Sequence, residues 1–219
     1  TTFFPPRESD PVKVIARLCA DHDIPLIVNN AYGVQSQDTM AQLRSAIDAG
    51  RVDAVVQSSD KNFLSPVGGS IVVSPKPSVI EWTGDTYAGR ATAAPVVQTL
   101  SALLSLGLDR YKDLQKQQLA NLAILKQRLQ EVAESHGQRV LAVKNPVAYA
   151  TTMNGLDVRG IGARLYNARV TGPRAVEAGD FGSCVDSYPH SYIVMNAAIG
   201  VRREDIETAT TKLDKESSR

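Results

Sequence analysis

The sequence predicts an α/β fold, a mainly parallel sheet joined to a smaller α+β part. Three observations carry this. Over the first hundred residues, short apolar runs of strand length alternate with amphipathic stretches, the pattern of βαβ units. A long stretch, about 108–135, is rich in helix formers and sets Leu122, Leu125, Leu129 and Val132 at helical spacing. Beyond it, strand-like and helix-like runs follow one another without regular alternation. The predicted division is 1–100 and 101–219.

Each element has its own signal. Asp10-Pro11 opens the first helix, with Asp as N-cap and Pro at the first helical position. Val14, Ile15, Leu18 and Cys19 share a face, and the helix stops near Asp21-His22-Asp23. Ile24-Pro25-Leu26-Ile27-Val28 reads as a strand ending at Asn29-Asn30. Ser36 caps a second helix whose inner stripe is Met40, Leu43 and Ile47, with Gly50 at C′. Residues 52–56 and 69–73 are the next strands. Past the long helix, 139–143 and 148–153 read as strands. A loop-rich segment with four arginines follows, then a last strand at 191–195. Ile206, Ala209 and Leu213 mark a final helix.

Composition narrows the function classes. The chain has 219 residues, 43% hydrophobic and 21% charged, enough to bury a core without disulfides or metals. A net charge of +1 excludes a strongly basic nucleic-acid coat and an acidic tail alike. No apolar run approaches the ~20 residues that span a bilayer, so no membrane partner is expected. Cys19 and Cys184 form no CxxC pair, which points to a reducing, cytoplasmic setting. His22, His136 and His190 are scattered, and no metal site is predicted. The opening Thr-Thr-Phe-Phe-Pro-Pro has neither the basic region nor the apolar core of a signal peptide. It reads as the end of a strand running into a turn, so the fold is expected to begin upstream.

Ligands of open parallel sheets bind at the carboxyl ends of the strands. Two polar clusters fall there, Asn29-Asn30-Ala31-Tyr32-Gly33 and Gln57-Ser58-Ser59-Asp60-Lys61-Asn62-Phe63. Asn29 and Lys61 are 32 residues apart, about one strand–helix–strand crossover, which brings both to one sheet edge. A lysine just past an apolar strand, followed by Pro66-Val67-Gly68-Gly69, has the layout of a Schiff-base lysine. Desolvation at such an edge lowers an amine's pKa and makes it a nucleophile and base. Each feature also has a plainer reading. A lysine after a strand is commonly a surface residue, and Asn-Asn is commonly an Asx-turn. Gly68-Gly69, lacking GxxxxGK[ST] or GxGxxG, suits close backbone packing.

Four motifs occur in order: Asn29-Asn30-Ala31-Tyr32-Gly33-Val34-Gln35, Gln57-Ser58-Ser59-Asp60-Lys61-Asn62-Phe63, Pro66-Val67-Gly68-Gly69 and Tyr87-Ala88-Gly89-Arg90-Ala91. Together they resemble the O-phosphoseryl-tRNA(Sec) selenium transferase family, the selenocysteine synthases of archaea and eukaryotes. Ser187-Tyr188-Pro189 and Asn196-Ala197-Ala198-Ile199-Gly200 continue the likeness more loosely. The likeness is to the family's C-terminal half. It implies a pyridoxal-phosphate-dependent transferase of fold type I (aspartate-aminotransferase-like), here as a partial large domain, 1–100, and a long helix with a C-terminal α+β small domain, 101–219. The glycine loop that grips the cofactor phosphate belongs to the family's other half. The chain alone is therefore expected to lack a complete site.

Carried over residue by residue, the resemblance implies Lys61 as the lysine that binds pyridoxal 5′-phosphate and removes the Cα proton. Asn29 falls where many type I enzymes place an Asp against the pyridine nitrogen. An amide there would tune the ring toward elimination. Arg90 resembles the arginine that holds the phosphoseryl phosphate, a planar fork suited to that group. Asp60 either orients Lys61 or is a solvated loop acid. Tyr32 either lines the pocket or packs beneath the loop. Arg174, in Val170-Thr171-Gly172-Pro173-Arg174, resembles the arginine that reads the tRNA acceptor arm. The implied partners are tRNA(Sec) carrying phosphoserine, selenophosphate, and further copies of the chain in a tetramer. Residues 101–219 carry 16 Lys/Arg against 13 Asp/Glu, with Arg159, Arg164, Arg169 and Arg174 in an acid-poor stretch. That is a mild surplus suited to phosphate contacts on one face. Two other readings compete. One is a type I lyase or desulfurase acting on a free amino acid, which calls for an acid at position 29. The other is an incomplete subunit with no activity of its own.

Overall fold

The computed structural model describes residues 1–2, 7–180 and 188–219. Cys184 and Ser187 lie outside them. The chain divides into two compact units, one of Ser9–Gln115 with Thr1 and Thr2, the other of Lys116–Arg219 with Arg7 and Glu8. No helix among the described residues is long and apolar enough to cross a membrane.

The first unit runs α1 (Val12–Asp21), β1 (Ile27–Asn29), α2 (Gln37–Ala49), β2 (Ala54–Ser58), α3 (Ser59–Asn62), β3 (Ser70–Val73) and α4 (Pro77–Thr86), then enters α5 (Ala94–Ser135). α1 starts one residue later than its sequence signal, because Pro11 sits at the N-cap with a non-helical ψ of 68°. α2 begins as expected, its Ser36 hydroxyl accepting a hydrogen bond from the Thr39 N–H at 3.2 Å. Such a cap contributes about 1 kcal/mol. Gly50 follows α2, but not in the left-handed conformation typical of a C′ glycine; its φ is −166°. A Cβ there would lie 2.4 Å from the Ala16 carbonyl, so glycine is what lets α2 close onto α1. That approach selects the Ala16–Cys19 side of α1 as the buried one and leaves Val14 and Leu18, expected inside, exposed.

β1 pairs parallel with β2, in register Ile27↔Ala54, Val28↔Val55 and Asn29↔Val56. β3 pairs antiparallel with β2, so this sheet is mixed rather than mainly parallel. The link from Ser58 to Ser70 is spent on the single turn of α3 and a tight turn, too little for a covered crossover, and the chain doubles back. The core beneath is Ala16, Val28, Leu43, Ala46, Val52 and Val55. α4 and the first part of α5, both outside the sequence expectation, bury no residue in α4 and none between Ala94 and Arg110. α5 is interrupted at Gly107, whose φ of 64° is left-handed.

In the second unit α5 continues into β4 (Ala148–Thr152), α6 (Val158–Asn167), β5 (Arg174–Val176), β6 (Tyr192–Asn196) and α7 (Arg203–Ser217). The sheet order is β4-β6-β5, antiparallel throughout. Leu122, Leu125, Leu129 and Val132 enter the core as their spacing predicted, against Ile161, Leu165, Ile193, Ile206 and Leu213. Full burial of each such side chain contributes roughly 2 kcal/mol. The stretch 139–143 is not a strand of its own, and only Val140 bridges to Thr151. The arginine-rich segment is not all loop. Asp157 caps α6 by accepting from the Gly160 N–H at 2.9 Å.

One ion cluster ties the ends of the first unit's strands. Asp53, 7% exposed, accepts from Arg51 Nε at 2.9 Å, Lys76 Nζ at 2.6 Å and the Leu26 N–H at 2.9 Å. The Arg51 hydrogen bond, chiefly, holds the Asp53 carboxyl well below the usual carboxylate range against the opposing effect of burial, with Lys76 and the Leu26 N–H adding to it. A depressed folded-state pKa contributes stability above the ordinary carboxylate pKa, about 3.9, and that stability is lost as pH falls below it. Asp53→Asn is expected to cost roughly 1–3 kcal/mol in urea unfolding at pH 7. The gap from wild type should narrow steadily below about pH 4. A gap that stays constant from pH 7 to pH 3 would mean that ionised Asp53 is not the source.

Candidate functional site

The carboxyl end of β1 and the turn after β2 meet at one edge of the sheet. Asn30, the residue beyond β1, donates its N–H to Val56 O at 2.8 Å. Its buried amide donates to Gln57 Oε1 at 3.3 Å. Asn29 is exposed, and its Oδ1 accepts from the Ala31 N–H at 3.1 Å. This is the Asx-turn that the dipeptide allowed. A backbone N–H can only donate, so the amide oxygen is fixed on Ala31 and the NH₂ group is left as the outward donor. The chain then makes a single 3₁₀ turn, Gly33–Gln35. A Cβ at Gly33 would lie 1.8 Å from Asn30 Oδ1, so only glycine lets this loop lie against Asn30.

Lys61 sits in the one-turn helix α3, and its backbone is held from two sides. Gln35, 1% exposed, donates from Nε2 to the Lys61 carbonyl at 3.0 Å. Asn62, fully buried, donates from Nδ2 to Ser58 O and to Ala31 O, both at 2.7 Å. The lysine turn and the Asn29–Gln35 loop are thus laced together by side-chain amides. Lys61 Nζ lies 4.7 Å from the centroid of the Tyr32 ring. Burial, and then the Asp60 carboxylate, push the Tyr32 phenol up. Around this centre the Ser59 N–H donates to Gly69 O at 3.1 Å, and Gln115 of α5 donates to Val34 O at 3.1 Å. Tyr111, its ring 5.7 Å from Phe63, has its phenol pushed up to about 12 by burial.

The structure therefore brings Asn29, Tyr32, Asp60 and Lys61 into one neighbourhood. Arg90 lies exposed in the turn after α4, outside these hydrogen bonds. Arg174 opens β5 in the second unit, also exposed. Of the four arginines that suggested a phosphate-binding stretch, two are engaged by acids. Arg159 meets Glu177 and Asp180, and Arg164 meets Glu216 at 3.0 Å. Gln35 and Asn62, which anchor the lysine turn, had no assigned role in the sequence. Their only signal was two uncharged amides inside otherwise site-like loops. No group of acids, histidines or cysteines among the described residues could hold a metal ion. The donor set suits an aldehyde-bearing aromatic cofactor: an amine without a carboxylate partner among the described residues, an aromatic face beside it, and an outward amide N–H at the same edge.

The model of the O-phosphoseryl-tRNA(Sec) selenium transferase family matches residues 1–218. A Methanopyrus kandleri protein named O-phosphoseryl-tRNA(Sec) selenium transferase is 48% identical over 218 residues, 98% of this chain and 51% of that relative. An archaeal O-phosphoseryl-tRNA(Sec) selenium transferase crystal structure superposes with a TM-score of 0.93 at 46% identity, covering 98% of this chain and 49% of that one. The Oryza sativa TDC structure with PLP matches 95% of this chain and 45% of its own at a TM-score of 0.70 and 11% identity. That distant match speaks for the fold alone, which is that of the type I pyridoxal-phosphate enzymes. The chain spans about half the length of the relatives it matches.

The packing at Gly69 gives a test of the lysine turn that needs no ligand. A Cβ on Gly69 would fall 2.3 Å from Ser59 Oγ, while its next contacts are milder: Thr99 Oγ1 at 3.2 Å need give only a few tenths of an ångström, and Pro95 Cβ stands at 3.4 Å. Gly69→Ala is expected to destabilise by roughly 1–3 kcal/mol in urea unfolding. Removing the hydroxyl in Ser59→Ala/Gly69→Ala should restore most of that loss. Additive costs in the double variant would show that the two residues do not touch.

Proposed function

The chain belongs to the O-phosphoseryl-tRNA(Sec) selenium transferase family, and we propose that it carries the lysine side of a pyridoxal-phosphate site that converts phosphoseryl-tRNA(Sec) and selenophosphate to selenocysteinyl-tRNA(Sec). The observation that supports this best is the anchoring of Lys61. Its backbone is fixed by Gln35 and its amine rests over Tyr32, at the edge where β1 delivers Asn29. The cofactor-bearing part is assigned to 1–100, and the linking helix with the small domain to 101–219. A tetrameric assembly and a cytoplasmic setting go with this reading.

Lys61 Nζ would hold the cofactor through its aldehyde, and as a free amine it would be the base that takes the Cα proton of the phosphoserine. Bound pyridoxal phosphate supplies the electron sink for the pair left behind by that proton. Arg90 holds the departing phosphate in two places, orienting it and neutralising its charge. Asn29 would help hold the cofactor ring through its amide N–H, a donor that cannot protonate a ring nitrogen as a carboxylic acid can. That makes a weaker sink than a carboxylate would maintain. Expulsion of phosphate from the neighbouring carbon tolerates this, because the leaving group carries the electron pair away. Selenium of selenophosphate would then add to Cβ of the dehydroalanyl product while Cα regains a proton, and water would cleave the Se–P bond to release phosphate and leave selenocysteinyl-tRNA(Sec). A lyase or desulfurase for a free amino acid, built for a protonated ring, calls instead for an acid at position 29.

Two experiments test this reading. In the full-length protein, borohydride reduction in the presence of pyridoxal phosphate is expected to fix the cofactor on the peptide 58–63. Lys61→Ala should abolish both that adduct and the visible absorbance of the bound cofactor. Label on another lysine would overturn the assignment. Arg174→Ala should weaken tRNA(Sec) binding and lower the salt slope by about one phosphate contact, leaving the cofactor's spectrum unchanged. Unaltered affinity and slope would make Arg174 an ordinary solvated residue.

A further inference from the structure

The carboxylates of the second unit are distributed unevenly among its cations. Arg128, Arg159, Arg164, Arg202, Arg203 and Arg219 each meet one in an ion pair. Lys126, Arg139 and Lys144 meet none among the described residues, and all three are exposed. These three line one groove of about 520 Å³, between the 126–134 face of α5 and the extended stretch 138–144. Lys126 Nζ stands 5.6 Å above the centroid of the Tyr149 ring, and the Arg139 guanidinium donates to His190 Nε2 at 3.1 Å. Both cations are thus placed by aromatic rings rather than by carboxylates. The acids nearby keep their charge: Glu134, which also lines the groove, accepts from the Gln130 amide at 3.2 Å, and Glu8 Oε1 lies 3.5 Å from the backbone nitrogen of Lys144, so the lining carries three cations against one carboxylate.

We propose that this groove binds a stretch of RNA phosphodiester backbone, a contact additional to the one assigned to Arg174. The inference rests on the reading of tRNA as the substrate carrier. Three cations against one carboxylate in the lining of a groove match a ligand with regularly repeated negative charge. Each phosphate they neutralise releases bound counterions, which is where such sites gain their affinity. Contacts of this kind fix orientation without reading sequence. They would hold the body of the tRNA while its aminoacylated end is engaged elsewhere.

The test measures binding of a fluorescein-labelled, unmodified tRNA(Sec) transcript to the purified protein by anisotropy at a series of salt concentrations. Lys126→Gln/Arg139→Gln/Lys144→Gln is expected to weaken binding about tenfold or more and to reduce the log–log salt slope by about two. Lys126→Arg/Arg139→Lys/Lys144→Arg should keep both near wild type. The substituted side chains are exposed, and far-UV circular dichroism checks that the fold is unchanged. If the wild type binds tRNA and the glutamine variant matches it in affinity and slope, the groove proposal falls while the tRNA reading stands. If the wild type binds no tRNA, both fall. A labelled polyglutamate peptide is the remaining arm. Should it bind wild type but not the glutamine variant, with tRNA binding indifferent to the substitutions, the groove belongs to an acidic protein segment and the RNA assignment is overturned.

Discussion

The parallel pairing of β1 with β2 is the constraint on which the candidate site depends. Three residue pairs set it, ending at Asn29↔Val56. They bring two loops distant in sequence to the same edge and height. A slip of one residue would turn Val28 and Val55, both buried, to the opposite face. It would also carry Asn29 and the lysine turn out of reach of each other. The register is guarded from below by the Asp53 cluster, which fixes Leu26 just ahead of β1. Close packing guards it from the flank, where Gly50 allows α2 to touch α1. The edge that carries the candidate site is thus positioned by features at the opposite end of the strands.

What the sequence could show follows from which forces leave a local signature. Helix caps and one-sided apolar stripes do. Ser36, and the Leu122–Val132 spacing, correctly located α2 and the second part of α5. Asn29 and Lys61 were legible as a pair because a crossover has a characteristic length. α4 and the start of α5 were not, since periodicity reports a buried face and these helices have none: Ile80, Trp82, Val96, Val97, Leu100 and Leu104 are exposed. The return of β3 was hidden for another reason. Strand direction depends on how a connection spends its residues, and a one-turn helix at 59–62 left no periodic trace.

Charge was the least legible property. Counting cations along the chain pointed to the Arg159–Arg174 stretch, yet folding brings Asp180 and Glu177 to Arg159 and Glu216 to Arg164. Cations on three separate turns of sequence, Lys126, Arg139 and Lys144, end up sharing a groove in which, among the described residues, no acid stands at ion-pair distance from them. Ion pairs are made across elements. A linear tally sees the charges but not which ones are cancelled, and only uncancelled charge attracts a polyanion.

The same logic explains why amides rather than acids frame the lysine turn. Asn30, Gln35, Gln57 and Asn62 are all buried, and each could in principle be replaced by a carboxylate of similar shape. A buried amide costs a few kcal/mol unless its hydrogen bonds are made. Here Asn62 alone makes two strong ones. A carboxylate in that frame could not donate to the carbonyls of Ala31, Ser58 and Lys61, which are the bonds that tie the two loops together. It would also add a buried negative charge to the Asp60 carboxylate already in that turn, favouring a salt bridge that holds the Lys61 amine as an ammonium ion. An amine so bound can neither attack an aldehyde nor accept a proton. Neutral donors fix the backbone of Lys61 firmly and leave its side chain chemically uncommitted.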